Sequence, residues 1–335
     1  MSDAHNIACS ALAPNGEFVA CSTSRELKLF RLNAAQGFQP RKVALPQGLG
    51  RESARVVAFS PDSTRLVIAS DSQTIRVVDL TKMEVLKSFD VASYHRDSSD
   101  DNDSDDDAAV SPILTLSISL DGQWLGVGDA SNNISVYNLD SMQFYAHLPR
   151  PREMHTSMGF NPSGKILVVT LVSNSFVCYD VEKKGLSEWY RQHHERFPKA
   201  IVDGRNIKGM TFDPAHPEFL YLYSQSSLYQ IDMRDSASAP VASPATHNKK
   251  KSRRRAASVG HDSDSAPASS KAAAGTDDEA VVVDLEEGLC RVINRYRPLS
   301  FVDFLDANEM IVVETPWLKV LSRLPGALHR HKYGK

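Results

Sequence analysis

Charged runs, not a catalytic constellation, carry the most evident chemistry in this sequence. Lys249, Lys250, Lys251, Arg253, Arg254 and Arg255 place six bases in seven positions. Cations spaced so closely read first as a nuclear-import signal, with contact to nucleic-acid phosphates compatible, because their potentials add over one short stretch; a merely solubilising charge run is the alternative. Arg255-Ala-Ala-Ser258 has the spacing of a basophilic kinase site, which marks Ser258 for phosphorylation. Residues 97–107, DSSDDNDSDDD, are the opposite case. Ser98 and Ser104 each stand three residues before an aspartate, as an acidophilic kinase such as casein kinase II requires. Such a run repels itself and cannot bury a core, so a disordered loop is expected. A solvated loop with no specific role and a phosphorylated or base-binding loop both fit it.

Catalytic patterns are missing. There is no phosphate-binding G-x-x-x-x-G-K-[ST], no dinucleotide G-x-G-x-x-G, no H-E-x-x-H and no G-x-S-x-G elbow. Cys9, Cys21, Cys178 and Cys290 are isolated, with neither the clustering of a zinc site nor the density of a disulfide framework. They read as reduced, mostly buried thiols. His193-His194 follows SEWYRQ in an expected loop and reads as surface-exposed. Asp79, Asp180 and Asp232 fall at turns, where hydrogen bonding to the backbone is the expected role. No enzyme, no cofactor, no metal site and no small-molecule substrate are expected.

The elements that would position the charged runs come from a repeat. SALAPNGEFVACS (10–22), VAFSPDSTRLVIAS (57–70), LSISLDGQWLGVG (116–128), MGFNPSGKILVVT (158–170), MTFDPAHPEFLYLY (210–223) and VDFLDANEMIVVE (302–314) each read as strand, tight turn, strand. A third strand follows each: ELKLFRL (26–32), TIRVVDL (74–80), NISVYNL (133–139), SFVCYDV (175–181), SLYQIDM (227–233) and WLKVLSRL (317–324). Fourth strands are expected at 40–46, 84–89, 143–149 and 290–296. The turns sit at Pro14, Pro61, Leu120, Pro162, Pro214 and Asp306. Two of their five spacings are stretched by the charged insertions, 91–110 and 235–280. With these removed the period is roughly the 40–45 residues of a WD-type blade. The repeats resemble degenerate WD repeats, and four strands at this period imply an all-β, WD40-type β-propeller.

The expected repeats lie near 7–33, 54–90, 111–150, 152–194, 205–234 and 290–325, within a propeller spanning 1–325. Residues 326–335 form a basic tail. Six units are one fewer than the commonest ring, and Met1–Asn6 is too short to add a closing strand. The expectation is a segment of a longer, tandem-propeller protein, or a ring closed by another chain. The 335 residues carry a net charge of −3. That average hides −6 in the acidic insertion and +1 in the basic one, leaving +2 elsewhere. The amino terminus lacks the pattern of a secretory signal, and no apolar run is long enough to cross a bilayer as a helix. No membrane association is expected.

The last forty residues are the most specific. Tyr296-Arg297-Pro298-Leu299, Phe304-Leu305, Val312-Val313-Glu314, Pro316, Leu321-Ser-Arg-Leu324-Pro325 and Lys332-Tyr333-Gly334 resemble the carboxy-terminal end of the cirhin family, tandem WD-repeat proteins of the small-subunit processome. Thr315 and Ser300 depart from that pattern. The resemblance implies a non-catalytic scaffold of the UtpA (t-UTP) subcomplex, in the nucleus and nucleolus. Its implied partners are the other UtpA subunits and the 5′ external transcribed spacer of pre-rRNA. Its implied roles are pre-18S rRNA processing, early 40S assembly and support of pre-rRNA transcription. A generic nuclear WD-repeat scaffold, in chromatin or ubiquitin-ligase assembly, is the alternative. From the residues alone, Phe301, Phe304, Ile311, Val313 and Val320 read as blade core, and Trp317 as packing. Arg323, Arg330, Lys332 and Lys335 leave the tail with bases and no acid. A tail of this kind is commonly just disordered, or it neutralises RNA phosphates.

Overall fold

The computed structural model describes residues 6–33, 37–91, 111–197, 199–234, 282–285, 290–296, 298–306, 309–315 and 321–322. Its first sheet contains β1 (Ile7–Leu12), β2 (Phe18–Thr23), β3 (Leu27–Arg31) and β4 (Arg41–Val43). The second contains β5 (Ala54–Phe59), β6 (Arg65–Ser70), β7 (Thr74–Asp79) and β8 (Glu84–Asp90). The third contains β9 (Ile113–Ile118), β10 (Trp124–Asp129), β11 (Ile134–Asn138) and β12 (Gln143–Leu148). The fourth contains β13 (His155–Phe160), β14 (Ile166–Leu171), β15 (Phe176–Asp180) and the two-residue β16 (Gly185–Leu186). All are antiparallel meanders, the unit of a WD40 β-propeller.

Two short helices follow β16: α1 (Glu188–His193) and α2 (Lys199–Val202). The fifth sheet has β17 (Gly209–Phe212), β18 (Phe219–Tyr223), β19 (Leu228–Asp232), β20 (Val282–Leu285) and β21 (Cys290–Ile293), in the order β17-β18-β19-β21-β20. Its outer strands therefore come from the far side of the basic insertion. The sixth has β22 (Leu299–Phe304) and β23 (Met310–Glu314).

Turn chemistry repeats with the strands. Gly16, Ser63, Gly122 and Gly164 have left-handed φ at the same place in successive first turns. Gln73, Asn132 and Asn174 repeat this in the second turns, and Met83, Met142 and Lys184 in the third. Asn15, Asp62 and Asp121 each accept a backbone N–H two residues on, from Glu17 (2.9 Å), Thr64 (3.1 Å) and Gln123 (3.0 Å). This Asx geometry is why Asn and Asp recur there.

The core is divided among the blade junctions. One apolar cluster joins the first and second blades through Leu29, Leu66 and Ile68. Val67, Ile75 and Leu125 belong to the cluster between the second and third. Ile134, Leu167 and Tyr179 join the third and fourth, and Trp189, Leu220 and Ile231 the fourth and fifth. Leu228, Leu299 and Val302 join the fifth and sixth. A middle strand such as β6 buries alternate residues on opposite sides, so its apolar run is continuous. Each large aliphatic side chain buried in this way contributes about 1.5–3 kcal/mol.

Inner strands pack in succession, β1 on β5, β5 on β9, β9 on β13, β13 on β17 and β17 on β22. Among the described residues no comparable packing joins β22 to β1. Both ends of the series present apolar side chains: Ile7 and Leu12 at one, Phe301 and Val313 at the other.

Two expectations are corrected. Phe301 (46% exposed), Ile311 and Val313 are not core; Leu299 and Val302 hold that place. Strand alternation puts Val302, Phe304, Met310 and Val312 on the face that meets the fifth blade, and Phe301, Ile311 and Val313 on the other. His193 is not a surface loop residue. Ser187 caps α1 by accepting the Tyr190 N–H at 3.2 Å, and the helix turns Trp189 and His193 inward together. Their rings stack at 4.8 Å, and His193 Nδ1 lies 2.8 Å from the Trp189 carbonyl. His194 stays exposed. Val320 and Trp317 lie outside the described residues.

Candidate functional site

The repeated turns converge on one opening. Pro14, Pro61, Leu120, Pro162, Pro214 and Leu305, one from each blade, line a cavity of about 540 Å³. Behind them stand Phe59, Ile118, Phe160, Phe212 and Phe304. Proline suits the rim because it presets the turn's φ and needs no N–H partner. Leu120 and Leu305 are exposed. The carboxylate on this lining is that of Asp303, which accepts the Thr211 hydroxyl at 2.7 Å. The mouth is therefore a predominantly apolar contact surface. Among the described residues no group of three His, Cys, Asp or Glu could hold a metal ion.

The turn acids make structural hydrogen bonds. Asp79 accepts the Thr81 and Lys82 N–H groups at 2.7 and 3.0 Å. The bond from Lys82, with that from Thr81, holds its carboxyl below the usual range. Asn138 accepts from Asp140 and Ser141, Asp180 from Lys183, and Asp232 from Arg234. Asp129, almost fully buried, accepts three donors: the N–H groups of Ser131 (2.9 Å) and Asn133 (2.8 Å) and the Asn133 side-chain amide (2.8 Å).

The carboxy-terminal signature sits at the junction of the fifth and sixth blades. Leu299 is fully buried; its N–H donates to the Gln225 carbonyl at 2.7 Å, and its carbonyl accepts Lys208 Nζ at 2.8 Å. The Pro298 carbonyl accepts the Thr315 N–H at 2.7 Å, and Glu314 pairs with Leu299 across β22 and β23. Tyr296 packs on the same cluster, with the Arg295 guanidinium 5.1 Å from its ring centre. These four residues, Tyr296, Pro298, Leu299 and Glu314, form one packed corner. Arg297 and Pro316 lie outside the described residues. So do Lys249, Lys250, Lys251, Arg253, Arg254, Arg255, Ser98, Ser104, Ser258, Arg323, Arg330, Lys332 and Lys335.

None of the four thiols is in a disulfide; Cys21, Cys178 and Cys290 are buried and Cys9 partly so. Burial pushes Cys178 upward and Cys290 to about 12. Periodicity gave no sign of α1; the signal available was Ser187 followed by Trp189 and His193 at helical spacing.

Residues 51–79, which include β5, β6 and β7, match the WD domain, G-beta repeat model. Over 348 residues the chain is 25% identical to "U3 small nucleolar RNA-associated protein 4" of Schizosaccharomyces pombe, covering 100% of this chain and 47% of that protein. It is 24% identical over 333 residues to the homolog of that protein in Homo sapiens, covering 98% and 43%. The Mus musculus homolog matches at 24% over 335 residues. The chain thus spans less than half the length of these relatives.

Proposed function

We propose that this chain is part of a non-catalytic scaffold subunit of the small-subunit processome, acting in pre-18S rRNA processing and early 40S assembly. The observation that carries this reading is similarity over nearly the whole chain to three proteins named for association with the U3 small nucleolar RNA. The Tyr296–Glu314 corner is built from the residues that resemble the cirhin family and agrees with it. Within that reading the chain corresponds to the carboxy-terminal half of a tandem-propeller protein of the UtpA subcomplex. Its six repeats lie within 1–325, and 91–110, 235–280 and 326–335 are charged appendages. Blade rims and the apolar mouth offer rigid surfaces to other UtpA subunits. Lys249–Lys251 and Arg253–Arg255, with Arg323, Arg330, Lys332 and Lys335, supply nuclear targeting and salt-dependent contact with the 5′ external transcribed spacer. Ser98, Ser104 and Ser258 are the sites at which phosphorylation would retune those charges.

Crosslinking the chain to RNA in cells, with sequencing of the bound RNA and identification of co-purified proteins, tests this reading. The expected result is recovery of pre-rRNA spacer sequence, processome proteins and a nucleolar location. Recovery of ubiquitin-ligase or chromatin subunits, with neither pre-rRNA nor processome proteins, would overturn it.

A further inference from the structure

A second cleft, of about 350 Å³, lies where the fourth blade gives way to the fifth. It exists because β16 is only two residues long. At Ser187 the chain leaves the sheet and enters α1 in place of completing a full outer strand. Ile166 and Asp180 of the fourth blade form one wall, Pro217, Glu218 and Met233 of the fifth the other, and Trp189 closes the end.

Its chemistry differs from that of the channel mouth. Asp180, Glu188 and Glu218 bring three carboxylates to the lining, and among the described residues no lysine or arginine lines it. Lys183 Nζ lies 3.5 Å from Asp180 and partly offsets its charge, and the Arg234 guanidinium pairs with Asp232, which leaves Glu188 and Glu218 outside any ion pair among the described residues. Ile166, Trp189, Pro217 and Met233 supply apolar surface. Trp189 is 5% exposed, its ring stacked on Phe176 at 6.2 Å and His193 at 4.8 Å. Its indole N–H has no acceptor among the described residues.

We propose that this cleft docks a lysine- and arginine-rich linear segment of a partner protein. Basic side chains suit a lining of this kind, because their methylene stems cover apolar surface while their heads reach carboxylates. A peptide backbone also brings carbonyl oxygens, the acceptors the Trp189 N–H lacks. RNA is disfavoured, since its phosphates would meet three carboxylates, of which only Asp180 is paired with a base. The surface therefore differs in sign from the basic run at 249–255, and it selects a different partner.

The test is fluorescence anisotropy with the full chain and a labelled dodecamer of three Arg-Leu-Lys-Ala repeats. The wild-type chain should bind it, more weakly as salt rises. A double variant, Glu188→Gln with Glu218→Gln, should bind at least about tenfold more weakly, the scale of one lost charged hydrogen bond, with an unchanged melting temperature. Equal binding by the double variant would overturn the proposal. So would a uridine-rich RNA whose binding falls in the same variant, which would make the cleft a nucleic-acid site. A second variant, with Lys249–Lys251 and Arg253–Arg255 changed to Ser, covers the remaining occupant. Binding only by that variant would show that the chain's own basic run fills the cleft, and binding by no variant would show that no basic segment does; either result overturns the proposal.

Discussion

Gly128 and His155 meet across the junction of the third and fourth blades, so closely that a Cβ at position 128 would stand 2.5 Å from the imidazole Nε2. The Thr115 hydroxyl and the Met158 methyl would lie within 2.8 Å of the same point. His155 is 2% exposed, so its ring has little room to retreat. Gly128→Ala should therefore cost about 1–3 kcal/mol, the usual penalty of overpacking. At Gly126, two residues earlier on β10, the nearest contacts would be 3.4 Å, and Gly126→Ala should leave stability unchanged or raise it by up to about 1 kcal/mol. Urea denaturation of the two variants checks the contrast; equal losses would refute it.

The same histidine should make stability depend on pH. Burial lowers the His155 pKa from its ordinary 6.5, against a smaller opposing pull from Asp129. The folded state thus binds its proton less readily than the unfolded state. Stability is fully present above about pH 6.5 and declines as pH falls toward the folded value, by at most about 1.4 kcal/mol per pH unit. His155→Gln should flatten the stability profile between pH 7 and 5 in denaturant titrations.

Asp129 opens the second turn of its blade and Asp79 the third turn of its own, at very different depths. Asp129 is 2% exposed and serves three donors. Asp129→Ala strands those donors and should cost about 2–4 kcal/mol, whereas Asp79→Ala, at a solvated turn, should cost about 1 kcal/mol or less. Thermal melting of the two variants should separate by several degrees.

Thiol chemistry reports the core. Burial raises the Cys178 thiol and takes Cys290 to about 12. A thiolate is the reactive form. Iodoacetamide at neutral pH should leave both unmodified in the folded chain and label them in urea, as mass spectrometry can read. Rapid labelling of either in the folded state would contradict the packing at the fourth and fifth blades.

RNA binding through the basic run has a measurable electrostatic signature. Changing all six bases from Lys249 to Arg255 to Ser should reduce the slope of log affinity against log salt by as much as about four, given roughly 0.7 per neutralised phosphate on a single strand. Filter binding across a salt series provides the slope, and an unchanged slope would place the RNA contact elsewhere.

Local chemistry made much of the architecture readable in advance. Asn15, Asp62 and Asp121 announce tight turns because their side chains satisfy the backbone two residues later, whatever the rest of the chain does. Runs such as Leu66–Ala69 announce a strand covered on both sides, because an apolar residue at every position leaves no face for water. The resemblance of Tyr296, Pro298, Leu299 and Glu314 to one family was equally local, and these residues form a single packed corner.

Other features depended on neighbours far along the chain. Both faces of β22 carry apolar side chains, so alternation alone could not say whether Phe301 or Val302 would be covered; the fifth blade covers Val302. His193 looked like a loop residue until Ser187 capped a helix whose inner face found Phe176 and the fifth blade. The cleft between the fourth and fifth blades, and the carboxylates of Asp180, Glu188 and Glu218 on it, arise from a strand that stops after two residues. The amino-acid order thus determined the repeat, its turns and its charged appendages, which follow from interactions within a few residues. Which faces are buried, which acids share a surface and where the turns meet were decided only by the packing of blade on blade, because that burial energy joins residues tens of positions apart.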